Sequence, residues 1–261
     1  MFELMQNPIL ASLLLSVAIG IIGSFMLINR SQFIAAAIAH GSYGGIGIAI
    51  YFGLSLLFTT TLFALFLALV LAYITYHDRY RSDTLIGVIW AVGMSIGIVF
   101  IDMTPGYHPN MMSFLFGDIL MVPQEDLYFM TGVDVFLILS TLLFYHRFLA
   151  ISYDINFALL NGLHVKSIYA FLLVLTSLTI VMSIRSVGLI LVIALFSIPP
   201  FIAEKFSANF RNMIFLSGIL GFIFSLIGLY ISYRFDISAT AAIILTAATA
   251  FFGVILFKKG D

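Results

Sequence analysis

The chain has 261 residues, of which 62% are hydrophobic and only 9% charged, with a formal net charge of −1 and a mean hydropathy of +1.18. A soluble domain carries about a quarter charged residues, so a soluble fold is excluded, and no nucleic-acid partner is expected. The chain has no cysteine, which excludes disulfides and thiolate metal sites. The apolar runs are long and continuous, unlike the alternating segments of a transmembrane barrel. We therefore expect an all-α, polytopic integral membrane protein.

Apolar stretches of about 20 residues predict the membrane-spanning helices. The stretch Phe33–Tyr76 is long enough for two helices that fold back near Tyr51–Ser55. We expect about nine membrane-spanning helices, or about eight if one segment lies at the membrane interface. Together they form a single membrane domain over residues 1–261. The other predicted spans are Pro8–Asn29, Thr84–Ile101, Leu127–His146, Ile168–Ile184, Val187–Ala203, Met213–Tyr233 and Ile237–Phe257.

Two segments are predicted not to span. Met111–Val122 is apolar but too short to cross, which is typical of a half-helix or re-entrant piece. Ile151–Ser167 is mixed in polarity and is expected to be a connecting segment on the inner surface.

The basic residues predict the orientation. With about nine crossings and the N-terminus outside, every Lys and Arg except Arg185 and Arg234 faces the cytoplasm. The opposite orientation would reverse this distribution. We therefore expect an outer N-terminus and a cytoplasmic C-terminus.

One predicted span contains a histidine. In SQFIAAAIAHGSYGGIGIAI, His40 is surrounded by small residues, and Ala37, Gly41, Gly45 and Ala49 recur every fourth residue. On a helix they form a stripe where another helix can approach closely. An ionisable group at membrane depth usually faces the bundle interior or a polar path. His40 either hydrogen-bonds a neighbouring helix or lines a route for a small polar solute or a cation.

Motifs of soluble-type catalysis are absent from the sequence. There is no GxxxxGK[ST] phosphate loop, no HExxH zinc-protease motif and no GxSxG nucleophile elbow. We therefore do not expect an enzyme.

Six segments in order resemble the permease subunit of ATP-binding-cassette importers for zinc, manganese or iron. Together they cover roughly Arg30 to Leu245. The segments are IAHGSYGGIGIA (Ile38–Ala49), DTLIGVIWAVGMSIGIV (Asp83–Val99), FLFGDILMVPQEDL (Phe114–Leu127), DINFALLNG (Asp154–Gly162), VGLILVIALFSIPPFIA (Val187–Ala203) and FDISATAAIIL (Phe235–Leu245).

The resemblance implies a homodimeric permease in the bacterial cytoplasmic (inner) membrane, with its pathway at or beside the dimer axis. A separate ATP-binding-cassette ATPase would dock inside and use the ATP, and an extracytoplasmic metal-binding protein would deliver the ion. The transported divalent ion would be zinc, manganese or iron, and no permanently bound cofactor is expected. The alternative is a stand-alone secondary carrier or channel for a small cation, with His40 as a proton or ion relay.

The resemblance also assigns residues to ATPase coupling. Asp154, Ala158 and Gly162 match the family's D-x-E-x-A-x-x-x-G segment, which couples to the ATPase, whereas Asn156 replaces its usual acidic residue. Within residues 151–167, the alternative is a plain connecting helix.

The sequence departs from the family at the histidine. The family commonly has an aspartate one helical turn before it, where this chain has Ala36. The usual carboxylate partner of His40 is therefore missing. Other ligands must complete a metal site, or the substrate differs.

Two other acidic residues are candidates for the pathway, and two prolines for a helix kink. Asp118 either lines the pathway or has a structural role as a helix cap or in a loop. Asp134 either lines the pathway or extends outward to the membrane surface. Pro199 and Pro200 predict a break near the inner end of Val187–Ala203. That break is either a fixed kink or a bend that passes motion into the membrane.

Overall fold

The computed structural model describes residues 2–77, 82–105, 117 and 119–257. Within them the chain is helical, without a β-strand. A π-helical turn, Ile19–Gly23, joins α1 to α2, and a 3₁₀ turn covers Ile119–Met121. The helices are α1 (Phe2–Ala18), α2 (Ser24–Ile28), α3 (Gln32–Gly41), α4 (Tyr43–Phe52), α5 (Leu56–His77), α6 (Ser82–Asp102), α7 (Gln124–Tyr153), α8 (Ile155–Leu160), α9 (Val165–Phe206), α10 (Phe210–Phe235) and α11 (Ala239–Phe257).

Among the described residues, 8 helices are long and apolar enough to cross a membrane. The predicted all-α membrane fold with eight to nine spans is therefore confirmed. The side on which each terminus lies stays a prediction. The eight helices are Met5–Ile28, Gln32–Phe52, Leu56–His77, Asp83–Asp102, Gln124–Tyr153, Val165–Phe206, Phe210–Phe235 and Ala239–Phe257.

Helices suit this composition because the bilayer core offers no water to backbone N–H and C=O groups. Many of the buried serine and threonine hydroxyls follow the same rule by bonding within their own helix. Ser12 Oγ donates to the Pro8 carbonyl at 2.8 Å, and Ser225 Oγ to the Gly221 carbonyl at 2.8 Å. A hydroxyl that is bonded in this way carries little cost in an apolar helix.

The predicted reversal near Tyr51–Ser55 is confirmed. α4 ends at Phe52, and Gly53 follows in the left-handed region with φ 64°. The Leu54 N–H returns to the Ala49 carbonyl at 2.9 Å, which closes the helix end, and α5 begins at Leu56. Glycine allows this turn because it has no Cβ.

The 42-residue helix α9 contains the two predicted spans, Ile168–Ile184 and Val187–Ala203, and its non-helical residue lies beside their predicted boundary. At a rise of about 1.5 Å per residue a straight helix of this length would be about twice as long as the hydrocarbon core is thick. The residue inside it with a non-helical backbone is Gly188, at φ 78° and ψ 166°. Residues 165–187 and 189–206, the parts on either side of Gly188, are each long enough to cross.

α9 continues through Pro199 and Pro200 to Phe206, so the helix is not interrupted there, and a kink at these prolines stays a prediction. Transmembrane helices tolerate proline where neighbouring groups pack against the freed backbone. Here Pro200 packs against Gly23, where an added Cβ would lie 2.7 Å from the Pro200 Cγ and 3.2 Å from the Phe196 carbonyl oxygen. The break lies instead at Gly188.

The chain divides into two compact units, each described by itself. Unit 1 comprises the described parts of Met1–Leu27, Met111–Ile138 and Met182–Asp261, and unit 2 those of Ile28–Asn110 and Leu139–Val181. The predicted half-helix over 111–122 lies mostly outside the described residues. The prediction of a single domain stays a prediction.

Replacing Gly188 by alanine is expected to destabilise the protein. Its φ and ψ lie in a region that only glycine occupies readily, so a Cβ costs about 1–3 kcal/mol. We expect the thermal midpoint in detergent to fall by several degrees, at about 2–4 °C per kcal/mol for a chain of this size.

Gly132→Ala is the matched control for this prediction. A Cβ at Gly132, within α7, meets no atom within 4 Å. Alanine is also the better helix former, so the midpoint of this control should stay level or rise. Equal midpoints for Gly188→Ala and Gly132→Ala would contradict the break at residue 188.

Candidate functional site

His40 lies near the C-terminal end of α3, where the helix is interrupted inside a membrane span. Ser42 separates α3 from α4, and its Oγ donates to the Ala39 carbonyl at 2.7 Å. The His40 ring is half-buried in unit 2. The histidine therefore sits at a local irregularity of an otherwise apolar helix.

The imidazole of His40 stacks on the indole of Trp90, which belongs to α6. The ring centroids are 4.1 Å apart and the planes differ by 11°. Trp90 Nε1 donates to the Met94 Sδ at 3.2 Å, which fixes the indole in turn. His40 Nδ1 is buried and has no hydrogen-bond partner among the described residues. Because Nδ1 is enclosed, a ligand would have to approach the ring at Nε2.

Close packing of α3 and α4 against α6 brings these rings together. A Cβ added at Gly93 would lie 2.6 Å from the Gly41 Cα, so the two backbones are in contact there. An added Cβ at Gly97 would lie 2.5 Å from the Tyr43 carbonyl oxygen. Gly41 follows His40 directly, and Gly93 lies about one turn after Trp90. The glycines therefore set the spacing at which the two rings stack.

The small-residue stripe predicted from the sequence also packs against a helix. An added Cβ would lie 2.6 Å from Leu67 Cδ1 at Gly41, and 2.8 Å from Phe63 Cβ at Gly45, both in α5. Ala37 and Ala49 are buried. The stripe thus faces α5, while the glycine contacts with α6 use the adjacent face.

A carboxylate partner for His40 is missing from this helix. Ala36 occupies the position one turn earlier and is buried. Among the described residues no group of three or more His, Asp and Glu side chains could hold a metal ion. The described chain alone therefore offers one imidazole at this point rather than a complete metal site.

Asp134 lies in α7, within unit 1, and is only 3% exposed. Neither carboxylate oxygen has a hydrogen-bond partner among the described residues. Of the two alternatives for Asp134, burial disfavours the outward-snorkelling one, and a pathway role stays a prediction. His40 belongs to unit 2, so the two residues are candidates in separate units. Asp118 lies outside the described residues.

An ion pair in unit 1 was not expected from the sequence. Arg185 Nη2 lies 2.6 Å from Asp126 Oδ1, and the Asp126 side chain is 7% exposed. The sequence analysis placed Arg185 on the outer side and made no prediction for Asp126. Both lie within helices, α9 and α7.

The segment assigned to ATPase coupling forms the short helix α8. Asp154 is its N-cap, and its carboxylate accepts the backbone N–H groups of Asn156 at 2.9 Å and Phe157 at 3.0 Å. Ala158 is 0% exposed, which leaves no room for a larger side chain. The first two positions of the D-x-x-x-A-x-x-x-G motif therefore specify the N-cap and a buried small residue of one helix.

Gly162 ends α8 in a two-bond C-terminal cap. Its φ is 73°, its N–H donates to the Leu159 carbonyl at 3.0 Å, and the Leu163 N–H donates to the Ala158 carbonyl at 3.1 Å. This pair of bonds is the Schellman pattern, which needs a left-handed residue at this position. Asp154, Ala158 and Gly162 thus build the helix rather than its outer surface.

The outer face of α8 is apolar. Leu160 is 88% exposed and Phe157 is 58% exposed, and Tyr153, just before the helix, is also exposed. Exposed apolar side chains on a short helix outside the spans mark an interaction surface. We call Tyr153, Phe157 and Leu160 the α8 surface. The sequence analysis did not predict this surface, although the apolar residues within and beside the motif indicate it.

A hydrogen bond joins the start of the α8 segment to the start of the His40 helix. Asn29 Nδ2 donates to Ser152 Oγ at 2.8 Å, within unit 2. Asn29 precedes α3, and Ser152 lies in the last turn of α7. The two segments that carry the candidate residues are therefore in direct contact.

Comparison with known proteins identifies the family. The profile of the ABC 3 transport family matches residues 1–258. The chain belongs to this family. It is 45% identical over 258 residues to an uncharacterized membrane protein of Synechocystis sp., covering 99% of this chain and 92% of the relative. It is 30% identical to the manganese transport system membrane protein MntC of Listeria monocytogenes, over 99% of this chain and 93% of that protein.

The fold is also known from a solved structure. PsaBC from Streptococcus pneumoniae in complex with Fab contains a chain that is 29% identical, with a TM-score of 0.86 over 97% of this chain and 91% of that one. These matches confirm the resemblance to permeases of metal importers. The ABC 3 chain is a multi-pass protein of the bacterial cytoplasmic membrane.

Removing the N-cap of α8 should loosen the helix. Asp154→Ala deletes the acceptor of two backbone N–H groups, which lowers the stability of the helix by about 1 kcal/mol. Asp154→Asn keeps an oxygen acceptor and should keep most of the capping energy. We expect the Asn156 and Phe157 amides to exchange hydrogen about fivefold faster in Asp154→Ala than in Asp154→Asn. Hydrogen-exchange mass spectrometry measures this difference. Equal exchange in both variants would contradict the capping role.

Proposed function

We propose that this chain is the membrane-spanning permease subunit of an importer for a divalent metal ion, driven by ATP hydrolysis in a separate ATPase subunit. Membership of the ABC 3 transport family and the similarity to the manganese protein MntC support the transport role. The observation that carries the proposal is the His40 imidazole. It lies inside a membrane span, is held by Trp90, and leaves Nε2 for a ligand.

The ion meets His40 during transport rather than residing there. One neutral imidazole is an incomplete coordination shell for a divalent ion. The remaining ligands come from water, from other segments or from a second copy of the chain, in a homodimer whose pathway lies at or beside its axis. Weak coordination suits a transport path, since an ion held too tightly would not leave.

Two arguments about the choice of metal point in different directions. The manganese named in the MntC relative favours manganese. However, carboxylate and water ligands suit manganese, whereas imidazole suits zinc and iron, and Ala36 removes the family's usual carboxylate. Zinc, manganese and iron are therefore the three ions to compare.

Acidic side chains are further candidates for the pathway. An unpartnered carboxylate inside a span is costly, so its presence favours a role with a cation or a proton. Asp134 fits that description within unit 1, because neither of its oxygens has a partner among the described residues. Asp118 stays a candidate on the sequence alone.

ATP hydrolysis would reach the pathway through α8. The exposed apolar α8 surface suits a cytoplasmic ATPase, and the Asn29–Ser152 hydrogen bond links the neighbouring segment to the His40 helix. Movement of α8 would then shift α3 as the permease alternates between outward-open and inward-open states. An extracytoplasmic metal-binding protein would supply the ion on the other side.

The stacked rings give a direct test of His40. Trp90 is the only tryptophan in the chain, so the fluorescence of the purified permease reports on His40. We expect zinc, manganese or iron(II) to change this emission in the natural chain. In His40→Ala the metal response should disappear, and metal uptake by the assembled importer should fall at least about tenfold, equivalent to 1.4 kcal/mol.

His146→Ala is the matched control, because His146 is exposed and lies in α7, away from the stacked pair. It should keep both the metal response and the uptake. A His40→Ala variant that transports normally and still responds to the metal would remove His40 from the mechanism.

A charge on the α8 surface should prevent ATPase binding. Leu160→Asp places a carboxylate at a position that is 88% exposed and expected to be covered by the partner. Truncation or desolvation at the centre of an interface costs about 2 kcal/mol or more, so co-purification of the ATPase should fall at least about tenfold. The Trp90 metal response should stay unchanged.

Asn156→Asp adds the same charge four residues earlier on α8. Since the family usually has an acidic residue there, the ATPase should still co-purify. If Leu160→Asp binds the ATPase as well as Asn156→Asp does, the docking role of the α8 surface fails, while the His40 proposal is unaffected.

A further inference from the structure

A second feature of unit 2 is an open cavity of about 570 Å³ beside the end of α8. It lies between α7 and the first turns of α9, and Gly162 forms part of its edge. Its position is at the helix ends that the Lys and Arg distribution assigns to the cytoplasmic interface. The metal pathway and the α8 surface do not use its interior.

The mouth of the cavity is basic. We use the word mouth for the polar part of the lining, Arg147, His164 and Ser167, and no Asp or Glu is among the described lining residues. Among the described residues, no carboxylate lies within ion-pair distance of Arg147. Instead its guanidinium carbon lies 5.3 Å from the centre of the Phe144 ring. The charge is therefore held over an aromatic surface at the mouth and is available to an anion.

The rest of the cavity lining, apart from Gly162, is apolar. Its lining includes Phe144, Leu163, Ile168 and Phe171. The Phe144 and Phe171 rings contact edge-on, with centroids 5.4 Å apart. A cavity with a basic mouth and an aromatic wall suits a ligand that is anionic at one end and apolar at the other.

The neighbouring face of α7 extends this amphipathic pattern into the membrane. Leu139, Leu142 and Leu143 are 54%, 72% and 77% exposed. Leu143 precedes Arg147 by four residues, so both lie on one side of the helix. An apolar track thus runs along α7 and ends at the basic mouth.

We propose that this cavity binds the headgroup of an anionic phospholipid, with the acyl chains lying along the exposed face of α7. Arg147 pairs with the phosphate, and Ser167 and His164 offer further hydrogen-bond donors. Basic pockets between transmembrane helices on the cytoplasmic side commonly hold such headgroups. The apolar track favours a lipid over a soluble protein, because a cytoplasmic partner could not cover side chains at membrane depth.

The test uses the full-length permease in delipidated detergent micelles. Thermal unfolding is followed while phosphatidylglycerol or phosphatidylcholine is added to the micelles. We expect phosphatidylglycerol to raise the midpoint and phosphatidylcholine to have little effect. Arg147→Gln should weaken the apparent affinity for phosphatidylglycerol about fivefold, as expected for one basic residue at an anionic surface. The affinity of Arg147→Lys for phosphatidylglycerol should stay close to that of the natural chain.

Arg234→Gln is the matched control, because Arg234 is exposed in the last turn of α10, in unit 1. It should keep the natural lipid response. If Arg147→Gln fails to fold, Ser167→Glu places a repelling carboxylate at the same mouth and should also weaken the lipid response.

Four results would overturn the proposal. One is equal stabilisation by the two lipids, and another is an unchanged phosphatidylglycerol affinity in both mouth variants. The third is stabilisation by inorganic phosphate alone to the same extent, which would assign the mouth to a free anion. Loss of the ATPase from Arg147→Gln with a natural lipid response would assign the cavity to the ATPase interface, and so would also overturn it. None of these measurements depends on metal transport.

Discussion

The candidate site depends on the backbone contact between α3 and α6. Lipid is as apolar as the helices, so their association relies on close packing and not on the exclusion of water. Glycines at 41 and 93 allow the approach, and the adjacent His40 and Trp90 rings then meet at stacking distance. A larger residue at either glycine would separate the rings. Among the described residues Nδ1 has no hydrogen bond that fixes the imidazole, so stacking on Trp90 is the contact that holds the ring. The imidazole would lose this contact if the rings separated.

The coupling motif separates into two physical roles. Asp154, Ala158 and Gly162 supply an N-cap, a buried small residue and a C-terminal cap, so they specify the shape of α8. The side chains that a partner can touch are Phe157 and Leu160, at positions that the motif leaves open. The motif residues thus locate the docking helix in the sequence. The exposed residues between them determine what the helix can bind.

Much of the fold could be predicted from the sequence, because lipid imposes a strong constraint on length and composition. Long apolar runs gave the spans, and the reversal before α5 was expected from the length of Phe33–Tyr76. His40 and its small-residue stripe were found because an ionisable group is conspicuous in such a run. The side of each terminus and the pathway roles of His40, Asp118 and Asp134 stay predictions.

Other features could not be predicted, because they arise from contacts distant in sequence. Trp90 stacks on His40 across 50 positions, and nothing local marks it. The boundary between the two spans within α9 was predicted at residues 185–186, but nothing in the sequence singled out Gly188 as the residue with the non-helical backbone. The pairing of Asp126 with Arg185 joins residues 59 positions apart, and the sequence analysis did not predict it.

The Asp126–Arg185 pair also bears on how the chain is made. An arginine within an apolar helix resists insertion by about 2.5–3.5 kcal/mol at the helix centre, and less near its end. Because α7 is synthesised before α9, Asp126 is already present when Arg185 enters the membrane. The later helix therefore inserts next to a waiting counter-charge, and the order of synthesis lowers the cost of placing its arginine.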